Sequence, residues 1–277
     1  PPQRAPTGQV PIVLEARQLA KTYVIGGFLG RRREVKAAVN VNLAVRRGET
    51  LGVVGESGSG KSTVARCIAR LIEPSAGAIL LEGTDVAKLT TGALRPHRKR
   101  VQIVFQDPYR SLNPRRTVGA SIIEGPMNFG VPREAALARA RELMRLVDLD
   151  PDALSRYPHQ FSGGQRQRLC IARALALEPE ILIADEAVSA LDVSVQAQVL
   201  QLLDDVRRRF NLALLFITHD LRVAAQVCDR IVVMQNGEIV EEGVTAEIFR
   251  NPRHPYTRAL FEAAPGRAFA FGAFETD

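Results

Sequence analysis

Two short stretches carry residue types suited to holding phosphate. Gly55–Thr63 reads GESGSGKST and satisfies G-x-x-x-x-G-K-[ST] through Gly55, Gly60, Lys61 and Ser62. Glycines at this spacing allow backbone conformations that a Cβ would block, so successive N–H groups can converge on an anion. Gly55, Glu56, Ser57, Gly58, Ser59, Gly60, Lys61, Ser62 and Thr63 are therefore the expected cradle. Lys61 would neutralise β- and γ-phosphates, and the Ser62 hydroxyl would ligate Mg²⁺. Phe161–Arg168, FSGGQRQR, is a second glycine-softened helix start. Ser162 takes the N-cap position there, and Gly163 and Gly164 leave backbone N–H groups bare. A plain capped helix is the commoner meaning of Ser-Gly-Gly alone. Because the chain has one Lys-bearing cradle, a second anion site would complete the cradle of another copy. The pair predicts an ATPase that closes two surfaces around one nucleotide.

Three further positions belong to the same chemistry. Ile181–Glu186, ILIADE, is an apolar run ending in two carboxylates, and the C-terminal end of a buried strand is where α/β sheets bind ligands. Asp185 suits the Mg²⁺ shell. Adjacent strand residues point to opposite faces, so Glu186 is assigned instead to the general base acting on the attacking water. His219 follows another apolar strand, and its imidazole can hydrogen-bond the γ-phosphate and hold the water geometry. Gln106 ends the strand Val101–Phe105, with an amide oxygen able to ligate Mg²⁺ and an NH₂ able to reach the water. Each has a bland alternative when taken alone: solvated strand-end acids, a structural histidine, an ordinary polar residue.

The elements that must position these groups follow from periodicity. Residues 1–11 hold several prolines and read as a linker. Ile12–Lys21 reads as a strand, Val24–Lys36 as a long Gly- and Arg-rich hairpin loop, and Val35–Val45 as the returning strand, giving an N-terminal antiparallel β subdomain. Leu51–Val54 is a buried strand before the cradle, and Thr63–Leu71 is the helix after it. Ala78–Leu81 is a short strand, with a turn at Gly83–Asp85. From about Pro108 to Gln160 strand patterns vanish and Arg133–Val147 shows amphipathic helical spacing, so residues 108–160 read as an inserted α-helical subdomain. Alternation then returns: helix Gly164–Leu177, strand Ile181–Ala184, helix Ser194–Arg209, strand Ala213–Thr218. Asn236-Gly237 joins Ile231–Gln235 to Glu238–Glu241 as a hairpin. The pattern predicts an α/β P-loop NTPase core with a mostly parallel sheet.

Composition narrows the class. A chain of 277 residues with 46% hydrophobic content has ample material for a core. The net charge of +7 admits nucleic acid or anionic lipid as partners. The positive residues are mostly scattered arginines, and the runs at Arg31–Arg33 and Arg95–Arg100 read as solvated loops. With no Trp and few aromatics, no base-stacking platform is evident, and no nucleic acid partner is expected. Cys67, Cys170 and Cys228 are isolated, which points to a reducing compartment. No apolar stretch approaches the ~18–20 residues of a membrane span, so a soluble chain is expected, any spanning being done by another chain. The start at Pro-Pro-Gln without Met suggests a trimmed chain or the later half of a tandem protein.

In order and spacing these motifs resemble those of ABC-type ATPases over about residues 12–250, with residues 251–277 as a C-terminal extension. The resemblance implies ATP and Mg²⁺ as ligands and a head-to-tail pair in which the SGGQ signature of one subunit completes the P-loop of the other. Ser162, Gly163, Gly164 and Gln165 would then face the opposing ATP, Tyr23 would stack on adenine, and Asp192 of SALD would lie in the loop that crosses between subunits. Phe161 replaces the commoner Leu before SGGQ. A closer resemblance is to the dipeptide/oligopeptide importer branch, through FQDPYRSLNPR at Phe105–Arg115, the Gly-Phe-Leu-Gly-Arg loop at 27–31 and NPRHPYTRAL at Asn251–Leu260. That branch implies a second ATP-binding subunit, more in keeping with a distinct paralogue than with self, two transmembrane permeases and, indirectly, an extracytoplasmic solute-binding protein. The location implied is the cytoplasmic face of the membrane. The tail lacks the cysteines with which some members hold an iron–sulfur cluster, so no cluster is expected. Two readings compete with the importer: a soluble ABC ATPase acting on ribosomes or DNA, and a non-hydrolysing half of an asymmetric pair.

Overall fold

The computed structural model describes residues 10–26 and 33–263. The expected linker at 1–11 for its first nine residues, the Gly-Phe-Leu-Gly-Arg loop and the tail from Pro265 lie outside the described residues.

Strands β1 (Ile12–Ile25), β2 (Arg33–Arg46), β3 (Thr50–Val54), β4 (Ala76–Leu81) and β5 (Thr84–Asp85) surround helix α1 (Lys61–Ile68) in sequence. Then come α2 (Thr91–Arg98), β6 (Val101–Phe105), α3 (Pro108–Ser111), α4 (Val118–Asn128), α5 (Arg133–Leu146) and two 3₁₀ turns at Pro151–Ser155 and Pro158–Gln160. The chain continues with α6 (Gly163–Leu175), β7 (Ile181–Asp185), α7 (Val193–Phe210), β8 (Ala213–Thr218), α8 (Leu221–Val227), β9 (Arg230–Gln235), β10 (Glu238–Val244), α9 (Thr245–Arg250) and α10 (Pro255–Ala263).

These strands form a four-stranded antiparallel sheet, β2-β1-β4-β5, and a six-stranded sheet, β10-β9-β3-β8-β7-β6. In the larger sheet β9, β3, β8, β7 and β6 run parallel, and β10 closes one edge as the antiparallel arm of the Asn236-Gly237 hairpin. The central strands are apolar on both faces because both are covered. Leu182, Ala184, Leu214, Phe216, Ile231 and Val233 face the helical side, with α4, α5, α6 and α7. Ile181, Ile183, Leu215, Ile217, Val232 and Met234 face α1 and the antiparallel sheet. The C-terminal ends of the parallel strands thus emerge at one edge between two hydrophobic layers, where α/β sheets bind ligands.

Several expectations are corrected. The 24–36 loop is shorter than read: pairing continues through Val24↔Glu34 and Ile25↔Arg33. Thr84–Asp85 pairs with β4 rather than forming a bare turn. The P-loop helix starts at Lys61 and ends at Ile68, not Thr63–Leu71. Arg95–Arg100 is not a solvated loop, since Arg95, His97 and Arg98 belong to α2, capped by Thr90 despite Pro96 within it. Arg100 is paired bidentately with Glu180 at 2.6 and 2.7 Å and also with Glu82 at 2.7 Å, joining the ends of β4, β6 and β7.

The three cysteines are buried free thiols. Burial pushes Cys67 and Cys170 up to about 11, and Cys228 higher still. Thiolate is the reactive form, so a maleimide at neutral pH should leave all three unmodified in the native protein and label them in denaturant. Mass spectrometry of the intact chain reads this directly, and rapid native labelling would refute the burial.

Candidate functional site

The cradle is built by close backbone approach. A Cβ at Gly60 would lie 2.1 Å from the Ala37 carbonyl oxygen, and one at Gly55 would lie 2.3 Å from that of Met234, with φ of +104° and +149° at the two positions. The loop therefore rests on β2 and on the β9–β10 hairpin, and only glycine fits there. The Gly237 N–H donates to the Ser59 carbonyl at 2.9 Å, while the Val39 N–H donates to the Gly237 carbonyl at 2.8 Å. The Asn-Gly turn, a plain hairpin signal in the sequence, is thus also the buttress that joins the P-loop to the antiparallel sheet.

Lys61 is 4% exposed, and its Nζ donates to the carbonyls of Gly55 at 2.8 Å and Glu56 at 2.7 Å, and more weakly to Ser59 Oγ. Burial lowers its pKa, opposed by the carboxylates of Glu186, Asp185 and Glu56. Ser62 Oγ donates to Asp185 Oδ1 at 2.7 Å. Burial raises the Asp185 carboxyl, with the Ser62 bond and the charges of Arg66 and Lys61 working against it. Burial opposes both charges, so a ligand bringing a dense anion and a divalent cation would suit the pair.

Glu186 follows β7 with φ of +51°, a left-handed conformation that costs a non-glycine residue of order 1 kcal/mol or more. Its N–H is held by the Ile217 carbonyl at 3.0 Å, and its carboxylate lies 3.3 Å from His219 Nδ1. Strand alternation does not extend to Glu186, which lies in the turn just past β7, and its charge reaches both Lys61 and Asp185. Gln106 lines a cleft of about 790 Å³ together with Ser62, Arg66, Asp185, Tyr109 and Gly163. The structure therefore brings Gly55–Thr63, Gln106, Asp185, Glu186 and His219 to one sheet edge.

Ser162 caps α6 in a reciprocal box: its Oγ accepts from the Gln165 N–H and its own N–H donates to Gln165 Oε1. Asp192 caps α7 by accepting from the Val195 N–H at 3.0 Å. The two helix starts touch, since a Cβ at Gly164 would lie 2.3 Å from Val195 Cγ1. Gly163 has open space where a Cβ would stand. Phe161 is buried in the core that α6 shares with α4 and α5. Tyr23 stands on β1, 37% exposed, with Lys21 Nζ 5.1 Å from its ring centroid. The alternative of a core aromatic is thereby removed.

Sequence reading missed the fastening of the Gln106 segment to α6. Gln167 Nε2 donates to the Phe105 carbonyl at 3.2 Å, and Arg173 donates to the Ser111 carbonyl. Arg166 lies 3.8 Å from the Tyr109 ring centroid. The repeated polar residues of FSGGQRQR were the only hint, and a helix exposed on that face would carry the same ones.

The ABC transporter family model matches residues 38–189. A Brucella ovis protein named as an ATP-binding protein of peptide import is 49% identical over 254 residues, 91% of this chain and 78% of the relative. The chain belongs to the ABC transporter family. As an ABC transporter ATPase it also matches, over residues 240–268, the C-terminal region of oligopeptide/dipeptide transporters. The glutathione import ATP-binding protein GsiA of Escherichia coli O157:H7 is 50% identical over 256 residues, 91% of this chain but 41% of that longer protein. Among solved structures, the ATP-binding cassette MJ0796, a post-hydrolysis dimer bound to ADP and Pi, aligns with a TM-score of 0.73 at 30% identity, covering 84% of this chain and 98% of that one. The cbiO1 subunit from Clostridium perfringens, part of the transporter complex cbiONQ, aligns with a TM-score of 0.76 at 26% identity, covering 87% and 92%.

Proposed function

We propose that this ABC ATPase powers an importer for peptides or related small solutes, as a peripheral subunit on the cytoplasmic face of a membrane. The observation that carries the reading is one sheet edge holding a P-loop, a Ser62–Asp185 bond and a Glu186–His219 pair, in a chain whose C-terminal segment matches oligopeptide/dipeptide transporters. Among the described residues no helix is long and apolar enough to cross a membrane, so the channel would be formed by two permease chains.

The glycine cradle and the opposed charges of Lys61 and Asp185 fit ATP with Mg²⁺. Ser62, Gln106 and Asp185 would hold the ion, which when bound supplies charge neutralisation at the phosphates. Lys61 and the amides of Gly55–Thr63 would bind the triphosphate, and Tyr23 would receive the adenine. Glu186 accepts the proton of the attacking water, and His219 orients that carboxylate and the water from beside it.

Ser162, Gly163, Gly164, Gln165 and Asp192 would serve a second ATP-binding subunit packed head to tail, a distinct paralogue in preference to self. Two observations favour the pairing itself. Among the described residues, nothing lies within 4 Å of where a Cβ at position 163 would stand, and the cassette MJ0796 is a dimer. A solute-binding protein would engage the permeases, not this chain.

The test is recovery of the tagged chain from detergent-solubilised membranes together with labelled-peptide uptake. Two permeases and a second ATPase should copurify, and Glu186→Gln should abolish uptake. Normal uptake, with the chain instead recovered on ribosomes or nucleic acid through salt washing, would move the reading to a soluble ATPase.

A further inference from the structure

The C-terminal segment reaches back to the nucleotide loop. The Glu56 N–H donates to the Tyr256 hydroxyl at 3.2 Å across 200 residues of sequence. Tyr256 is held in place by its own supports. Glu241 on β10, next to a bulge in the β9–β10 ladder, accepts from the N–H groups of Arg253 at 2.8 Å and His254 at 3.0 Å. The Tyr256 N–H donates to His254 Nδ1 at 3.2 Å. Phe249 of α9 and Phe261 of α10 stack with centroids 4.5 Å apart, and Tyr256, Leu260 and Phe261 pack on the core beneath.

We propose that Tyr256 is a positioning residue for nucleotide binding, fixing the start of the P-loop through the Glu56 N–H. The Gly55–Glu56 peptide is gripped on both sides: its N–H by Tyr256 and its carbonyl, that of Gly55, by Lys61. Lys61 cannot keep its carbonyl contacts and serve the phosphates with the same N–H groups. Once it turns to phosphate, the Tyr256 hydroxyl and the Gly237–Ser59 bond remain to hold the loop. A loop preordered in this way binds more tightly, because less ordering entropy is lost on binding. The base, Glu186, follows β7 and has no bond to Tyr256 among the described residues, so the effect falls on affinity and not on turnover. This inference rests on the reading that Gly55–Thr63 holds the phosphates.

Tyr256→Phe removes only the hydroxyl. In the full-length chain, the Kd for MgATP and the KM of ATP hydrolysis should rise about 3- to 10-fold, the factor matching the net worth of one hydrogen bond, with kcat and Tm unchanged. Amide exchange of the peptide containing Glu56 should accelerate. Glu241→Ala, which frees the anchoring loop while leaving the tyrosine, should show the same division between KM and kcat. Parent-like exchange and KM in Tyr256→Phe, or a fall in kcat at unchanged KM, would overturn the proposal. Lys61→Ala run alongside separates the two readings. If it weakens MgATP binding by about 10- to 150-fold while Tyr256→Phe changes nothing, only the role of Tyr256 fails. If Lys61→Ala binds normally, the cradle reading fails and this inference with it.

Discussion

Glu186→Gln should hydrolyse ATP about 10²- to 10⁴-fold more slowly than the parent, the usual contribution of a general base, while binding ATP with parent affinity. The substitution keeps size and shape, and the amide oxygen can still face His219, so the turn at φ of +51° has no new reason to relax. What is lost is a carboxylate able to take a proton. Asp185, the neighbouring acid, cannot substitute: it is 4% exposed and engaged by Ser62 at 2.7 Å. With binding intact and hydrolysis blocked, ATP should accumulate in a closed pair of ATPase subunits, visible by size-exclusion chromatography as an ATP-dependent species. Hydrolysis at the parent rate would remove Glu186 from the base role, and an equal loss of ATP affinity would show that its part is structural. His219→Ala offers a comparison: if the imidazole orients the carboxylate and the water, kcat should fall with KM little changed.

The parts of this site that the sequence made legible are those whose chemistry is local. A P-loop is a contiguous run whose glycines, lysine and serine act through their own backbone, and the strands before Gln106, Asp185 and His219 announce themselves as apolar runs ending in polar residues. Ser162 was visible for the same reason, since an N-cap bonds three residues ahead, whereas Asp192 entered only through the family resemblance and its cap on α7 came from the structure. What stayed hidden depends on distant segments meeting. Gly237 reads as a turn residue until β9 and β10 are seen beneath the P-loop, and Tyr256 is an ordinary aromatic until α10 is folded back onto Glu56. Helix α2 was obscured by its composition, as TGALRPHR has one buried apolar residue, Leu94, and an internal proline. The β1–β2 ladder was read too short because glycine and arginine near its tip look like loop, whereas cross-strand pairing sustains Val24 and Ile25.

Lys61→Ala should raise the Kd for MgATP by about 10- to 150-fold, the range for a hydrogen bond to a charged group left unmade. Isothermal titration with the full-length chain measures it. The loss has two sources that act in one direction. The ammonium is the cation of the cradle itself, and it also holds the Gly55 and Glu56 carbonyls, so its removal loosens the loop that presents the amides. Thermal melting discriminates between a loosened loop and a disrupted fold: the core strands beneath are sealed by Val53, Val54, Ile217 and Val232, so Tm should fall by only a few degrees for roughly 1 kcal/mol of lost contact. The pH dependence follows from burial. Lys61 is held below the ordinary lysine value by desolvation, so it gives up its proton at a lower pH than a free lysine would. Binding needs the protonated form, so affinity should decline as pH rises through that lowered value, and a triphosphate that restores opposing charge should draw the pKa back up. Lys61→Ala should be both weak and flat across that alkaline range. An affinity that still falls with pH in the variant would place the titrating group elsewhere, and an unaltered Kd at neutral pH would mean that Gly55–Thr63 is not where the phosphates sit.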